Sequence, residues 1–174
     1  MDKFLNYLAR GIMITSVCFS AHTMAAEALP AIAETQITVD IPVKLKEAKV
    51  LFNMDHIALA GDLPVGMKYM DLLNKKMKMD ETLGKIIGIF HGSAAFMTLN
   101  DQSYNAERKV TTGNPYKVLI EGLIASGVQI EECAVSMKGH HWTNKDLLPG
   151  VKVNSGAIGR IIQLTQEGYA QIQP

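Results

Sequence analysis

Three short apolar runs, separated by helix-length connections, constrain the fold of this chain more than any other feature. The runs are KVLFNM at 49–54, KIIGIF at 85–90 and VQIEEC at 128–133. Continuous apolar runs of this length are typical of strands that are buried on both faces. Strands that alternate with helical segments form parallel sheets covered by helices. The pattern therefore predicts an α/β fold, a three-layer sandwich with a mainly parallel β-sheet flanked by helices.

Helical signals fill the connections between these runs. The segment Val65–Met77 places its apolar side chains at helical spacing, and Ala157–Gln166 is amphipathic. Asn114 and Pro115 are suited to the N-cap and the first position of a helix that runs to Ala125. The remaining predictions are an edge strand around Ile37–Ile41, a short helix over Ala94–Asn100, a polar loop over 101–113, a capping box at Thr143–Asp146, and short strands at Val151–Val153 and Tyr169–Ile172.

The first 25 residues have the order of charged and apolar residues found in an export signal. Lys3 and Arg10 precede an uncharged run over Gly11–Ala21, and small residues follow that run. The run is about half of the roughly 20 residues that span a bilayer, which disfavours a retained membrane anchor. We predict a signal peptide at 1–25 cleaved after Ala25, a lead-in at 26–47 and an α/β domain at 48–174. The mature protein is then periplasmic or secreted, with no membrane span.

Charge and cysteine content narrow the classes of protein further. Lys plus Arg and Asp plus Glu both number 17, so the formal charge is zero, and a strongly basic nucleic-acid binder is disfavoured. The two cysteines, Cys18 and Cys133, do not make a disulfide framework. Removal of the signal peptide takes away Cys18 and leaves Cys133 alone in a compartment that favours disulfides. An odd thiol there is buried and inert, paired between chains, or reactive.

Chemically active side chains lie at the predicted carboxyl ends of the strands. Asp55 and His56 follow the first run, His91 follows the second, and Cys133 ends the third. In parallel sheets, sites form in the crevice at this edge. A histidine can transfer protons near neutral pH, and with a cysteine it forms a nucleophile–base pair. Cys133, His91 and His56 are therefore the candidate catalytic residues.

The environment of Cys133 decides between a reactive and an inert thiol. A helix N-terminus or a nearby cation lowers the pKa of a thiol, and Cys133 is expected at a strand end beside a helix start. Glu131 and Glu132 would oppose thiolate formation if their side chains lay close, although strand alternation sends them to opposite faces. The alternative is a buried, inert cysteine, which is common in apolar strands.

A soft metal site is a second interpretation of the same region. Cys133, Met137, His140 and His141 include ligands that suit Cu(I). Their spacing matches no standard zinc pattern, and a surface loop explains the histidines equally well. We find no G-x-G-x-x-G order after the first strand, no phosphate-binding G-x-x-x-x-G-K-[ST] motif and no G-x-S-x-G nucleophile elbow. The sequence therefore indicates no cofactor, and we assign no metal site.

Several short motifs in the carboxyl-terminal third form a distinctive set. They are Gly127-Val128, Cys133, Ser136-Met137-Lys138, Asp146-Leu147-Leu148-Pro149-Gly150-Val151, Ser155-Gly156 and Gln166-Glu167-Gly168-Tyr169-Ala170. With these motifs, the chain from about Lys49 to Pro174 resembles the DsrE/DsrF-like family of small sulfur-relay proteins. The resemblance implies a three-layer α/β sandwich of Rossmann- or flavodoxin-like topology that assembles as a trimer or hexamer. It also implies that Cys133 carries a persulfide sulfur between partner proteins.

Three functional hypotheses follow. The first is a sulfur-relay protein that carries sulfane sulfur on Cys133 in an exported compartment, with His91 or His56 assisting the thiol. Its partner would be a sulfur-donor or sulfur-acceptor protein, and it would bind no nucleic acid. The second is a non-catalytic, homo-oligomeric module that binds a small ligand or a soft metal near the same cysteine. The third is an interaction subunit in which Cys133 is merely packed.

Overall fold

A parallel sheet of five strands organises residues 41–174, which form one compact unit. The computed structural model describes residues 37–174, so the predicted signal peptide and the first part of the lead-in lie outside the described residues. The strands of the sheet are β1 (Glu47–Met54), β4 (Leu83–Phe90), β5 (Gln129–Cys133), β6 (Lys152–Asn154) and β7 (Ala170–Ile172). Their spatial order is β6-β5-β4-β1-β7, and every neighbouring pair is parallel. A two-stranded hairpin of β2 (Leu59–Ala60) and β3 (Leu63–Pro64) follows β1.

Helices cover both faces of the sheet. One face carries α1 (Val65–Met79), α2 (Asp101–Arg108), α3 (Lys117–Ala125), α4 (Ala134–His140) and a 3-10 helix, Gly92–Thr98. The other face carries α5 (Ala157–Gln166). A second, single-turn 3-10 helix spans Asn144–Asp146 and begins with the predicted capping box. The predicted three-layer α/β sandwich is therefore confirmed.

Alternation along the strands divides the core into two layers. In β1, Phe52 and Met54 point to the larger core under α1 to α4, whereas Leu51 points to the smaller core under α5. In β4, Ile87 and Ile89 join Leu51 in that smaller core. All five side chains are at most 3 % exposed, and each contributes about 1.5–3 kcal/mol through burial of apolar surface. Burial on both faces explains why these strands appear in the sequence as continuous apolar runs.

The prediction of a loop over 101–113 is wrong at its start, where the chain forms α2. Asn100 caps this helix, because its side chain accepts a hydrogen bond from the Ser103 backbone N–H at 2.9 Å. The helix ends at Arg108, and Lys109 after it has a left-handed backbone with φ of 56°. Tyr104 is the single buried residue of α2, so the sequence carries no apolar period by which the helix could be recognised.

Two other predicted boundaries change. The helix predicted with Asn114 as its N-cap and Pro115 as its first residue begins instead at Lys117, and Asn114 acts in the turn before it. Its Oδ1 accepts from the Tyr116 N–H at 2.9 Å, while its Nδ2 donates to two buried backbone carbonyls. The predicted edge strand at Ile37–Ile41 is not formed, and the apolar side chains of this segment are exposed.

Within residues 37–174, no helix has both the length and the apolar character needed to cross a membrane.

Candidate functional site

Cys133 lies at the junction between β5 and α4, at the carboxyl edge of the sheet. Its thiol points toward α5 and is packed against Ala157, and the residue is 4 % exposed. It forms the floor of a cleft of about 340 Å³ at the surface. The other residues that line this cleft are His91, Gly92, Val135, Ser136 and Gly156 to Gly159. The structure thus brings together Cys133 and His91, two of the three predicted site residues.

Backbone N–H groups from two helix starts point at the Cys133 sulfur. The Ala157 N–H, at the first residue of α5, donates to Sγ at 3.3 Å. Burial raises the pKa of the Cys133 thiol, but the N–H groups of Ser136, Ala157 and Val135, together with the Ser136 hydroxyl, lower it by more, so that the pKa is lowered overall. A thiol with a lowered pKa has a larger thiolate fraction at neutral pH, and the thiolate is the nucleophile.

Register explains how two helix starts reach one sulfur atom. Cys133 pairs with Asn154 across the parallel ladder of β5 and β6. Asn154 Oδ1 accepts a hydrogen bond from the Gly156 N–H at 3.1 Å, which turns the chain so that α5 begins beside the thiol. Sequence reasoning found the start of α5 but missed this contact, because the contact depends on which strand lies next to β5.

Glu131 and Glu132 point to opposite faces of the sheet, as alternation predicts. Glu131 lies on the thiol's side and is 3 % exposed, and its carboxylate binds the Arg160 guanidinium through both Nε and Nη2, with an Nη2–Oε1 distance of 2.9 Å. The hydrogen bond to Glu131 raises the pKa of Arg160. The negative charge of Glu131 is therefore balanced by a bidentate ion pair.

Glu132 lies on the opposite side and is fully buried. Burial raises the pKa of the Glu132 carboxyl to about 9, although its hydrogen bonds with Thr98 Oγ1 and with the Cys133 backbone N–H oppose that rise. The carboxyl is therefore neutral at pH 7. Neither glutamate presents an unbalanced negative charge to the thiol, although both flank it in sequence.

His91 follows β4 and is partly buried in a wall of the cleft. Its Nε2 lies 2.7 Å from Asn53 Oδ1, and Asn53 Nδ2 donates to Gln173 Oε1. Because an amide oxygen only accepts, Nε2 of His91 carries the proton in the neutral ring and Nδ1 keeps its lone pair. Burial lowers the pKa of His91, and the charge of Asp55 opposes that effect in part. His91 is therefore a neutral base at pH 7.

His56 stands outside the cleft, at the far end of a hydrogen-bonded chain. It is exposed, and its Nδ1 contacts Asp55 Oδ1. Gln173 Nε2 donates to the same Asp55 oxygen at 2.8 Å, and Gln173 in turn contacts Asn53. The hydrogen bond from His56 lowers the pKa of Asp55, while burial opposes this. The structure therefore connects His56 to His91 through side chains and does not bring it to Cys133.

The residues considered for a soft metal site are separated by the sheet. Met137 packs in the larger core, and the Cys133 thiol packs in the smaller one. The His140 ring stacks on the Trp142 ring, with 4.3 Å between the ring centroids, and contacts Glu107. These residues lie in a part of the surface separate from the Cys133 cleft. In the described part of the chain, no group of three or more His, Cys, Asp and Glu side chains could hold a metal ion.

The parallel sandwich and the strand-end cysteine define an α/β protein with a single thiol site in the described residues. The family model of the DsrE/DsrF-like family matches residues 44–174, and the chain belongs to that family. No curated protein matches the chain.

Two of the solved structures that match this chain illustrate the shared fold. A protein of unknown function, MTH1491 from Methanobacterium thermoautotrophicum, is similar with a TM-score of 0.57 and 21 % identity, over 74 % of this chain and 100 % of that one. The YchN protein from E. coli is similar with a TM-score of 0.53 and 17 % identity, over 73 % of this chain and 99 % of that one.

The contribution of Ser136 to the thiol can be measured directly. Ser136→Ala removes the hydroxyl that helps to lower the pKa of Cys133 and that accepts the Gly92 N–H at 3.2 Å. We expect the pH midpoint of iodoacetamide alkylation at Cys133, located by peptide mapping, to move to higher pH. Ser103→Ala removes a hydroxyl bonded to Asp146 and is the matched control, with no expected shift. An unchanged midpoint in Ser136→Ala would contradict this account of the thiol.

Proposed function

We propose that this protein carries sulfane sulfur as a persulfide on Cys133, in the manner of a sulfur-relay protein. Membership of the DsrE/DsrF-like family supports a function of the sulfur-relay type. The observation that carries the finer proposal is the set of N–H groups, headed by those of Ser136 and Ala157, that lowers the pKa of the Cys133 thiol at the floor of an open cleft. These groups favour the anionic sulfur that sulfur transfer requires.

The proposed transfer is two successive displacements at sulfur. The Cys133 thiolate attacks the outer sulfur of a donor persulfide, so that one S–S bond forms, the donor's S–S bond breaks, and the electron pair leaves on the donor thiolate. An acceptor thiolate then attacks the outer sulfur held on Cys133, and the Cys133 thiolate leaves. Each step exchanges one S–S bond for another, and no external oxidant or reductant is consumed. A thiol of low pKa favours the second step, because it leaves more readily.

We assign His91 the role of proton carrier in these steps. It lines the same cleft as Cys133, and in the neutral ring its Nδ1 has a free lone pair. That nitrogen can take the proton of the Cys133 thiol before attack and return a proton to the departing thiolate of the donor. Asn53 holds the ring in the required tautomer, as an amide oxygen can only accept from Nε2.

The rim of the cleft supports the proposal of a protein partner. Val135 and Ile158 flank Cys133 and are 63 % and 66 % exposed, and Ile162, one turn beyond Ile158 on α5, is 53 % exposed. Clustered exposed apolar side chains of this kind are typical of interaction sites. A donor or acceptor protein that covers this rim would also exclude water from the persulfide.

Export and assembly are proposed on the sequence and the family resemblance. We expect the exported protein to begin at Ala26 and to form a homotrimer or homohexamer. N-terminal sequencing and light scattering of the purified exported protein test both points. An N-terminus at Met1 would overturn the export proposal, and a monomer would overturn the assembly proposal.

The persulfide itself is tested by intact mass. Treatment of the folded protein with a sulfane-sulfur donor is expected to add the mass of one sulfur atom at Cys133, and a reductant is expected to remove it. Cys133→Ser is expected to gain nothing, because its hydroxyl is not nucleophilic at neutral pH. Ser103→Ala, which removes a hydroxyl bonded to Asp146 outside the cleft, is the matched control and is expected to load like the wild type.

Two further results complete this test. His91→Ala is expected to load about tenfold more slowly at pH 7, because the proton carrier is lost, whereas His140→Ala, which removes a histidine outside the cleft, is the control. No mass gain in folded wild-type protein, with Cys133 still free by thiol titration after unfolding, would overturn the proposal. That result would favour a non-catalytic binding module.

A further inference from the structure

Glu132 is a fully buried titratable group that the proposed transfer does not use. It lies on the sheet face opposite the thiol, between β5 and the 3-10 helix Gly92–Thr98. One carboxyl oxygen, Oε1, accepts the backbone N–H of Cys133 at 3.0 Å. The other, Oε2, lies 2.8 Å from Thr98 Oγ1. Both oxygens therefore hold segments that border the Cys133 cleft.

The hydrogen-bond geometry around Thr98 favours a proton on Glu132. Thr98 Oγ1 lies 3.0 Å from the Ala95 carbonyl oxygen as well as 2.8 Å from Glu132 Oε2. A threonine hydroxyl has one hydrogen, and a carbonyl oxygen has none. An ionised Glu132 would thus leave two acceptors sharing a single proton. A protonated Glu132 donates to Thr98 Oγ1, and the Thr98 hydroxyl then donates to Ala95, so both contacts are satisfied.

Among residues 37–174, no positive charge lies beside Glu132 to stabilise a carboxylate. In register with it across the ladder are Phe90 of β4 and Val153 of β6. The 3-10 helix Gly92–Thr98 has no titratable side chain, and Lys138 and His140, the charged or titratable residues of α4, are exposed. The remaining titratable group beside it is the Cys133 thiol, since Glu131 points to the other face, where Arg160 binds it.

We propose that Glu132 is a positioning residue for Cys133, acting as a neutral carboxylic acid that ties the β5–α4 junction to the 3-10 helix that follows His91. This inference rests on the proposed function. A second hydrogen bond joins the same two segments, because the Gly92 N–H donates to Ser136 Oγ at 3.2 Å. The two bonds lie on either side of the junction and hold the thiol and His91 in one cleft.

The neutral state also matters to the thiol's charge. An ionised carboxylate attached to the neighbouring residue would repel the Cys133 thiolate and reduce its population. A neutral acid accepts the same backbone N–H without that repulsion. A glutamine at 132 would preserve this arrangement, because its amide can donate to Thr98 and accept from Cys133.

Infrared and stability measurements test the charge state. We expect a carboxylic-acid C=O band in the wild type at pH 7 that is absent from Glu132→Gln. Glu132 is ionised in the unfolded chain above about pH 4.5 and neutral in the folded one up to about pH 9, so folding takes up a proton in this window. The unfolding equilibrium constant of the wild type, relative to Glu132→Gln, is therefore expected to rise about tenfold per pH unit between these values. The proposal would be overturned if the carboxylic-acid band were missing and the ratio of the two unfolding equilibrium constants did not change with pH.

Alkylation of Cys133 by iodoacetamide tests the positioning role without any sulfur donor, so its outcome is independent of whether the protein carries persulfide. Glu132→Ala is expected to slow alkylation at pH 7 roughly threefold or more, because the junction loses its anchor. Glu132→Gln is expected to restore the wild-type pH profile. Thr98→Val, a nearly isosteric change, is expected to slow alkylation as much as Glu132→Ala does. It replaces Glu132→Ala as the test variant if Glu132→Ala does not fold. A wild-type profile in Thr98→Val or in folded Glu132→Ala would show that the acid has a structural role alone and would overturn the proposal.

Discussion

The hydrogen bond from the Ala157 N–H to the Cys133 sulfur joins the end of β5 to the start of α5, and the candidate site depends on this contact. It exists because β6 lies parallel to β5, with Asn154 in register with Cys133, and the chain turns at once into α5. Parallel strands place their carboxyl ends at the same edge, which brings His91, at the end of β4, into the same cleft. The arrangement of the sheet thus supplies the site's geometry, and local sequence supplies its chemistry.

Two buried glutamates beside the thiol show how the fold controls charge at this edge. The Arg160 guanidinium of α5 binds the Glu131 side chain at an Nη2–Oε1 distance of 2.9 Å. Glu132, on the other face, has no cation beside it in the described part of the chain and is neutral, because burial raises its pKa to about 9. An unpaired carboxylate in a protein interior is costly, and protonation removes that cost. One of the two adjacent acidic residues is therefore paired with a cation and the other is neutral, and neither opposes the Cys133 thiolate.

Much of the architecture could be predicted from the sequence, for identifiable physical reasons. β1, β4 and β5 were recognised because burial on both faces requires continuous apolar runs. Strand-end placement put Cys133, His91 and His56 at one edge of the predicted sheet, but it left open which histidine lies near the cysteine, because that depends on strand order and on the path of the chain after each strand. The helix α2 was missed because it buries a single side chain, Tyr104, and packing of neighbouring elements holds it. The contact of Ala157 with the thiol and the charge state of Glu132 depend on strand order and on depth of burial, which no local pattern encodes.

The most direct test of this account is the pKa of the Cys133 thiol in the wild-type protein. It can be measured by following the Cβ chemical shift of isotopically labelled cysteine against pH. Burial alone would raise the pKa above the usual value of about 8.5, whereas the N–H groups from the starts of α4 and α5 lower it by more than burial raises it. The account predicts a midpoint below the usual value. A midpoint at or above that value would contradict it, because Cys133 would then be a packed thiol with no activation.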